Sequence, residues 1–326
     1  MEYVKLGRSN LKVSRLCLGA MGFGSTDWRA WVLDETKSAP IVARALEHGI
    51  NFFDTCDFYS AGESERILGK LLVSRQPRDS IVIATKAGNP MAPHPNGRGY
   101  SRKHLFKAID DSLTRLGTDY VDLFQTHIWD KDAELDELVD AMGDIVRAGK
   151  ARYVGVTTMP AWTLALCRSD AEHRNRPLFL SMQCEYNPAH RECERELLPY
   201  CQHQNVAVIP FSPMARGFLS ADRRLDTNTT LRTTSDDYTQ KHYYRDADHA
   251  VQTALEEAAA RLGYTTSQVA MAWTLSRAGV TAPIFGATSV EQVDEAVNAL
   301  AITLSDEDIS RINAAYSPRA LGGSGH

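Results

Sequence analysis

The sequence lacks long apolar runs, a strong charge of one sign, and paired cysteines. Each absence removes a class of function. No stretch approaches the ~20 apolar residues that span a bilayer, and Met1–Asn10 has no apolar core of the secretory kind. A soluble, cytoplasmic protein is therefore expected, with no membrane partner. A formal charge of −5 spread over 326 residues argues against a nucleic-acid surface. The six cysteines, Cys17, Cys56, Cys167, Cys184, Cys193 and Cys201, form no C-x-x-C pair and no zinc-like spacing. They read as reduced thiols rather than staples. No H-x-H or H-E-x-x-H occurs, so a metal-dependent hydrolase is disfavoured and no metal is expected. No linker rich in proline, glycine or serine divides the chain. One domain over residues 1–318 is expected, followed by a disordered tail, 319–326.

What is present is a rhythm. After a hairpin over "YVKLGRSNLKVSRL", short apolar runs alternate with stretches of helical period. The runs are Arg15–Leu18, Ile50–Asp54, Ser80–Thr85, Tyr120–Gln125, Ala151–Val156, Leu178–Cys184, Val206–Phe211 and Thr281–Phe285. Helices are predicted over Ala39–His48, Glu63–Leu72, Arg102–Leu116, Glu134–Ala148, Ala161–Ser169, Arg191–His203, Ala250–Leu262, Ser267–Arg277, Val290–Leu300 and Asp306–Ala315. Alternation of this kind builds a parallel sheet. Runs such as "SIVIAT" and "VAVIPF" suit strands buried on both faces. Eight of them point to an α/β fold, a (β/α)8 TIM barrel with an N-terminal hairpin and extra helices. A long irregular loop, Ser212–Asp248, follows the seventh strand and reads as a lid or binding loop.

A barrel's chemistry gathers at the C-terminal ends of its strands. The second strand ends at Asp54, with Tyr59 in the loop beyond. The third ends at Lys86 and the fourth at His127. Consecutive strands would bring these four together. An ammonium beside a phenol stabilises the phenolate and lowers its pKa from about 10. Asp54 would keep Lys86 charged and oriented, Tyr59 could then protonate a developing alkoxide, and His127 could orient a carbonyl. Taken singly, each residue has an ordinary structural role; together they describe a site that reduces C=O and needs a hydride. Asp57 has no assignable partner and reads as a loop residue.

Several stretches carry a resemblance: "GINFFDTCDFYSAGESERILGK", "LGTDYVDLFQTHIWD", "GKARYVGVTT", "MQCEYNP", "VAVIPFSPMARGFL" and "APIFGATSVEQVDEAV". In this order they resemble the aldo-keto reductase family over essentially the whole chain. The likeness is nearest to its bacterial aryl-alcohol-dehydrogenase-like branch, which is also similar to potassium-channel β-subunits. The resemblance implies a barrel that binds NADPH, in preference to NADH, without a Rossmann fold, and no G-x-G-x-x-G follows the first strand here. It implies a catalytic tetrad of Asp54, Tyr59, Lys86 and His127. It assigns the nicotinamide carboxamide to Gln183 with Thr157 and Thr158, and the nicotinamide ring to Phe211. The pyrophosphate falls along Ser212, Pro213, Met214, Arg216 and Gly217. The adenosine 2′-phosphate and adenine fall to Gly286, Thr288, Ser289, Gln292 and Glu295, beside the start of the helix at Val290.

Departures from the family pattern are visible. Thr157-Thr158 stands where Ser-Asn is common, and Glu295-Ala296 where Glu-Asn is usual. No lysine or arginine lies within "GATSVEQVDEA", so the 2′-phosphate would need hydroxyls, backbone and an arginine from the long loop, Arg216, Arg223 or Arg224. Trp28, Trp31, Phe58 and Trp129 are the expected pocket walls and suit flat or apolar carbonyl compounds. Arg98, Arg102 and Lys103 read as solvated surface, and Cys56 as a small buried side chain. The expected activity is reversible NADPH-dependent reduction of an aldehyde or ketone. The alternative is an NADPH-binding, redox-reporting subunit of a larger assembly with little turnover.

Overall fold

A computed structural model describes residues 1–220 and 236–318. Arg223, Arg224 and the tail 319–326 lie outside the described residues. The strands, in chain order, are β1 Tyr3–Lys5, β2 Lys12–Ser14, β3 Cys17–Gly19, β4 Phe52–Asp54, β5 Val82–Ala87, β6 Val121–Thr126, β7 Ala151–Thr157, β8 Phe179–Gln183, β9 Ala207–Val208 and β10 Ile284–Phe285. The first two pair antiparallel, as the hairpin pattern predicts. The other eight form one parallel sheet in the order β10-β3-β4-β5-β6-β7-β8-β9. Its edges meet: Val208 bridges Val280, and the Thr281 and Ile284 amides donate to the Val208 and Pro210 carbonyls at 2.8 and 2.7 Å. Eight parallel strands with helices between them make the expected (β/α)8 barrel.

The α-helices among the described residues are α1 Glu35–Glu47, α2 Glu63–Leu72, α3 Arg102–Leu116, α4 Leu135–Arg147, α5 Ala161–His173, α6 Leu197–His203, α7 Asp237–His242, α8 Asp246–Leu262, α9 Thr266–Leu275, α10 Val290–Asn298 and α11 Asp306–Ala315. Three differ instructively from expectation. The first helix starts a turn early, because Asp34 caps it by accepting from the Lys37 amide at 2.9 Å. The helix runs on through Pro40. The segment expected as one helix over 191–203 splits into a 3-10 turn, Glu192–Glu194, and α6. The segment expected to be irregular, Ser212–Asp248, contains α7 and the first turn of α8, where Asp248 reaches back to the Arg245 amide at 3.2 Å.

Strand side chains alternate between two apolar layers. Cys17, Phe52, Ala84, Leu123, Ala207, Ile209, Ala282 and Ile284 share the barrel interior with Leu6 and Val13 of the hairpin, which plugs its N-terminal mouth. Leu18, Phe53, Ile83, Phe124, Val154, Val156 and Met182 point outward under the helices. The plugged end leaves the opposite mouth for chemistry. Period two then dictates which side chains follow the apolar interior upward: Asp54 two after Phe52, Lys86 two after Ala84, and Gln125 two after Leu123.

Candidate active site

Asp54 and Lys86 end neighbouring strands and are 3% and 1% exposed. The Lys86 ammonium donates to Asp54 Oδ1 at 2.6 Å, to the Thr55 carbonyl at 2.9 Å and to the Tyr59 hydroxyl at 3.3 Å. The other Asp54 oxygen accepts from Gln183 Nε2 at 2.7 Å and Gln125 Nε2 at 3.3 Å. Burial opposes the lysine's charge, but Asp54 and then Tyr59 outweigh it, so the Lys86 pKa lies above the usual lysine value. The four residues singled out at the strand ends do meet at one mouth. The rings of Tyr59 and His127 pack edge to face, 5.5 Å apart.

One expectation holds only in part. The Lys86 ammonium lowers the Tyr59 pKa, as expected, but does not decide it. Burial is the larger effect, and the phenol is pushed up to about 12 despite the ammonium. Tyr59 therefore holds its proton throughout the physiological range. His127 moves the other way: burial, then Lys86, push it well below the usual histidine range, so its imidazole is neutral. Its Nδ1 lies 2.5 Å from Asn89 Nδ2 and 2.9 Å from Cys56 Sγ.

The loop carrying Tyr59 is held by close approach. Ser60 and Ala61 both have φ of 53°. Ser60 Oγ accepts from the Ser25 amide at 2.8 Å, joining this turn to the loop after β3. Gly24 makes the approach possible: at φ +153° its added Cβ would lie 2.4 Å from Ser60. That loop delivers Trp28, whose ring sits 6.2 Å from Tyr59 and 6.1 Å from Phe58. Trp28 and Phe58 are half-buried beside the phenol, and Trp129 packs partly buried against the core. Trp31 is 6% exposed and packs as a core ring rather than as an open wall.

The predicted cofactor residues lie along the same mouth. Thr157 and Gln183 are register partners at the ends of β7 and β8, and the buried Thr157 Oγ1 has no partner among the described residues. An orphaned hydroxyl beside a buried amide side chain fits a carboxamide, which both donates and accepts. Thr158 adopts φ 55° just beyond. Phe211 bridges Glu185 at the end of the β9 segment. Ser212, Ala215 and Arg216 all have φ between 48° and 56°, followed by Gly217 at 92°. Such clustered left-handed backbone marks a constrained loop over Pro213 and Met214. Asn187 holds it, donating to the Ser212 carbonyl at 3.0 Å and to Tyr243 Oη at 2.9 Å. The Arg216 side chain turns to Asp236, 2.7 Å away, instead of being an uncommitted cation. At the far end, Gln292 Oε1 accepts from the Thr288 amide at 2.8 Å, while Gly286 and Ser289 lead into α10 and Glu295 lies within it.

Sequence reasoning missed Gln125, Asn89, Asn187 and Asp57. Gln125 was findable, since it sits two before His127 on one strand face. Asn89 and Asn187 lie in loops whose paths the sequence leaves open. Asp57, expected in a loop without partners, is 1% exposed; its Oδ1 accepts from the Cys56 thiol at 3.2 Å, and burial and Glu65 raise it to about 7.

Residues 15–317 match the Aldo/keto reductase family. The chain is 39% identical to versiconal hemiacetal acetate reductase of Aspergillus parasiticus, covering 98% of both chains. It is 37% identical to a putative aryl-alcohol dehydrogenase of Schizosaccharomyces pombe, over 98% of this chain and 97% of the relative. It is 36% identical to an aldo-keto reductase of Metarhizium robertsii, over 99% and 93%. These relatives are fungal, so the expected bacterial branch and the potassium-channel likeness find no support in them, whereas the aryl-alcohol dehydrogenase likeness does. A closed barrel, an acid, an ammonium and an imidazole at one mouth, and a match along nearly the whole chain lead to one assignment: this protein belongs to the aldo/keto reductase family, a family of carbonyl-reducing oxidoreductases that use a nicotinamide cofactor.

Proposed function

We propose that the protein reduces aldehydes or ketones, aromatic ones foremost, with NADPH, and that Tyr59 is the proton donor. The observation that carries this is the contact of the Lys86 ammonium with both Asp54 and the Tyr59 hydroxyl. Bound nicotinamide would supply the hydride. Gln183, Thr157 and Thr158 would hold its carboxamide, Phe211 its ring, the turn from Ser212 to Gly217 the pyrophosphate, and Gly286, Thr288, Ser289, Gln292 and Glu295 the adenosine end. With the Arg216 side chain committed to Asp236, its contribution at the pyrophosphate is its backbone.

As hydride arrives at the carbonyl carbon, charge develops on the oxygen. An alkoxide is far more basic than a phenolate, so Tyr59 gives up its proton even from a pKa of about 12. Lys86 stabilises the phenolate left behind, and Asp54 fixes the ammonium in place. His127 donates to the same oxygen and sets its angle. Trp28 and Phe58 keep water from the reacting atoms and offer flat apolar walls. Two similar proteins bear names that denote reduction of a hemiacetal acetate and oxidation of aryl alcohols, which supports an aromatic substrate class for this chain. We take residues 1–318 as one barrel domain bearing the whole site, and a reducing cytoplasm as its setting, which suits six free buried thiols.

The test follows NADPH absorbance against a panel of aromatic aldehydes with the natural protein and with Tyr59→Phe. The variant should lose at least about 100-fold in kcat with the fold unchanged, the range expected for removing a general acid. Equal turnover would show that Tyr59 is not the acid. Tight NADPH retention with negligible turnover of every carbonyl would favour the redox-reporting subunit.

A further inference from the structure

Two side chains outside the tetrad converge on one nitrogen of His127. Cys56 lies two residues beyond β4, Asn89 two beyond β5, and His127 directly after β6, its amide donating to the Ala87 carbonyl at 2.9 Å. Three adjacent strand ends thus meet at His127 Nδ1. We propose that Asn89 is a positioning residue that holds His127 in the tautomer with its hydrogen on Nε2, so that it meets a carbonyl oxygen as a donor, while Cys56 packs against the same nitrogen and fixes the ring's place. The inference deepens the reading of this site as a carbonyl-reducing centre and rests on it.

The chemistry of the partners fixes the direction. The Asn89 amide nitrogen faces Nδ1 at 2.5 Å, and an amide nitrogen only donates. The Cys56 sulfur faces the same atom at 2.9 Å. Burial, then Asp57, raise this thiol well above its usual range, so it keeps its hydrogen, which it gives to Asp57 Oδ1 at 3.2 Å, and its sulfur packs against Nδ1. The sulfur is itself anchored, accepting from the Phe58 amide at 3.4 Å. With the Asn89 amide donating to Nδ1, that nitrogen must carry a lone pair, and a neutral ring then has its hydrogen on Nε2. A ring with the opposite tautomer would present a lone pair to the substrate oxygen and repel it. The charged and titratable groups around the ring are Lys86, which disfavours an imidazolium, Tyr59 packed edge to face, and Asp57 behind the Cys56 sulfur. Among the described residues no carboxylate touches Nδ1 directly to draw a hydrogen onto it.

The test reads the tautomer itself. Protein labelled with 15N-histidine is examined by long-range 1H–15N correlation at pH 7.5 without cofactor, and the His127 signals are assigned by their loss in His127→Gln. Nδ1 should resonate as a bare nitrogen and Nε2 as N–H. Asn89→Asp turns the donor into an acceptor. It should move the hydrogen to Nδ1 and raise the imidazole pKa into the neutral range. In that variant kcat for an aromatic aldehyde should fall roughly 10- to 100-fold at pH 8 and recover as pH is lowered, because the imidazolium carries hydrogen on both nitrogens. The natural protein should show no such inflection. Cys56→Ser, which leaves the Asn89 donor in place, should retain the tautomer and most of the rate. Hydrogen on Nδ1 in the natural protein would overturn the proposal whichever variants fold, as would an unchanged tautomer in Asn89→Asp. Should no carbonyl compound be reduced, the spectra still decide the tautomer, so failure of the substrate reading is told apart from failure of this one.

Discussion

Replacing Asp57 with asparagine should stabilise the protein, and by an amount that grows with pH. Asp57 is 1% exposed, its Oδ2 has no partner among the described residues, and Glu65 adds a negative field from α2. Against these stand the Cys56 thiol, Arg115 and the Phe58 amide, which are too weak to offset burial, so the carboxyl sits at about 7. An unfolded aspartate titrates near 3.9, and each unit of difference is worth about 1.4 kcal/mol. The sign follows from proton counting. Between those two values the folded protein holds a proton that the unfolded chain has released, so raising pH favours unfolding. The full penalty is about 4 kcal/mol above pH 7 and nearly absent below pH 4. Asparagine keeps the shape and an oxygen for the Cys56 thiol but never ionises. Urea unfolding of both proteins at pH 5 and pH 8 isolates this group, because every other titration cancels in the difference. The advantage of Asp57→Asn should widen by about 3 kcal/mol between the two pH values. A gap that stays constant would mean that Asp57 is solvated or paired in the folded state and that the burial argument fails.

Other substitutions report on neighbouring parts of the frame. Arg115→Met removes the partner of Glu65, a fully buried carboxylate that takes Arg115 Nε at 2.6 Å and the Thr85 hydroxyl at 2.5 Å. Breaking one side of such a pair should cost about 3–5 kcal/mol in denaturant unfolding, and adding Glu65→Gln should recover most of it. A loss below about 1 kcal/mol would show that the pair is effectively solvated. Gly24→Ala drives a methyl group into Ser60, 2.4 Å away. It should destabilise by about 2–4 kcal/mol and lower turnover by displacing the turn that bears Tyr59. Ser60→Gly in the same chain should restore stability, and no recovery would place the clash elsewhere.

The sequence determined the barrel and the membership of its mouth. Strand residues alternate by two, so a polar residue ending an apolar run points into the barrel at the end where the chain leaves it. Asp54 and Lys86 were legible for that reason, His127 by its place one step beyond a strand, and Tyr59 by its distance from Asp54. Hydrophobic period also set helix and strand order, because the core is built one stripe at a time. Tertiary structure alone decided what each polar group experiences. Whether Tyr59 is made more or less acidic depends on burial against one ammonium, two opposing effects, and burial wins. Asp57 looks like any loop aspartate until the loop folds inward and removes its water. The partners of His127 come from two other loops, 71 and 38 residues away in sequence, and the Arg216 guanidinium finds Asp236 twenty residues on. Local pattern dictates which face a residue takes. Solvation and charge pairing depend on what the rest of the chain brings to that face, and only the closed barrel settles that.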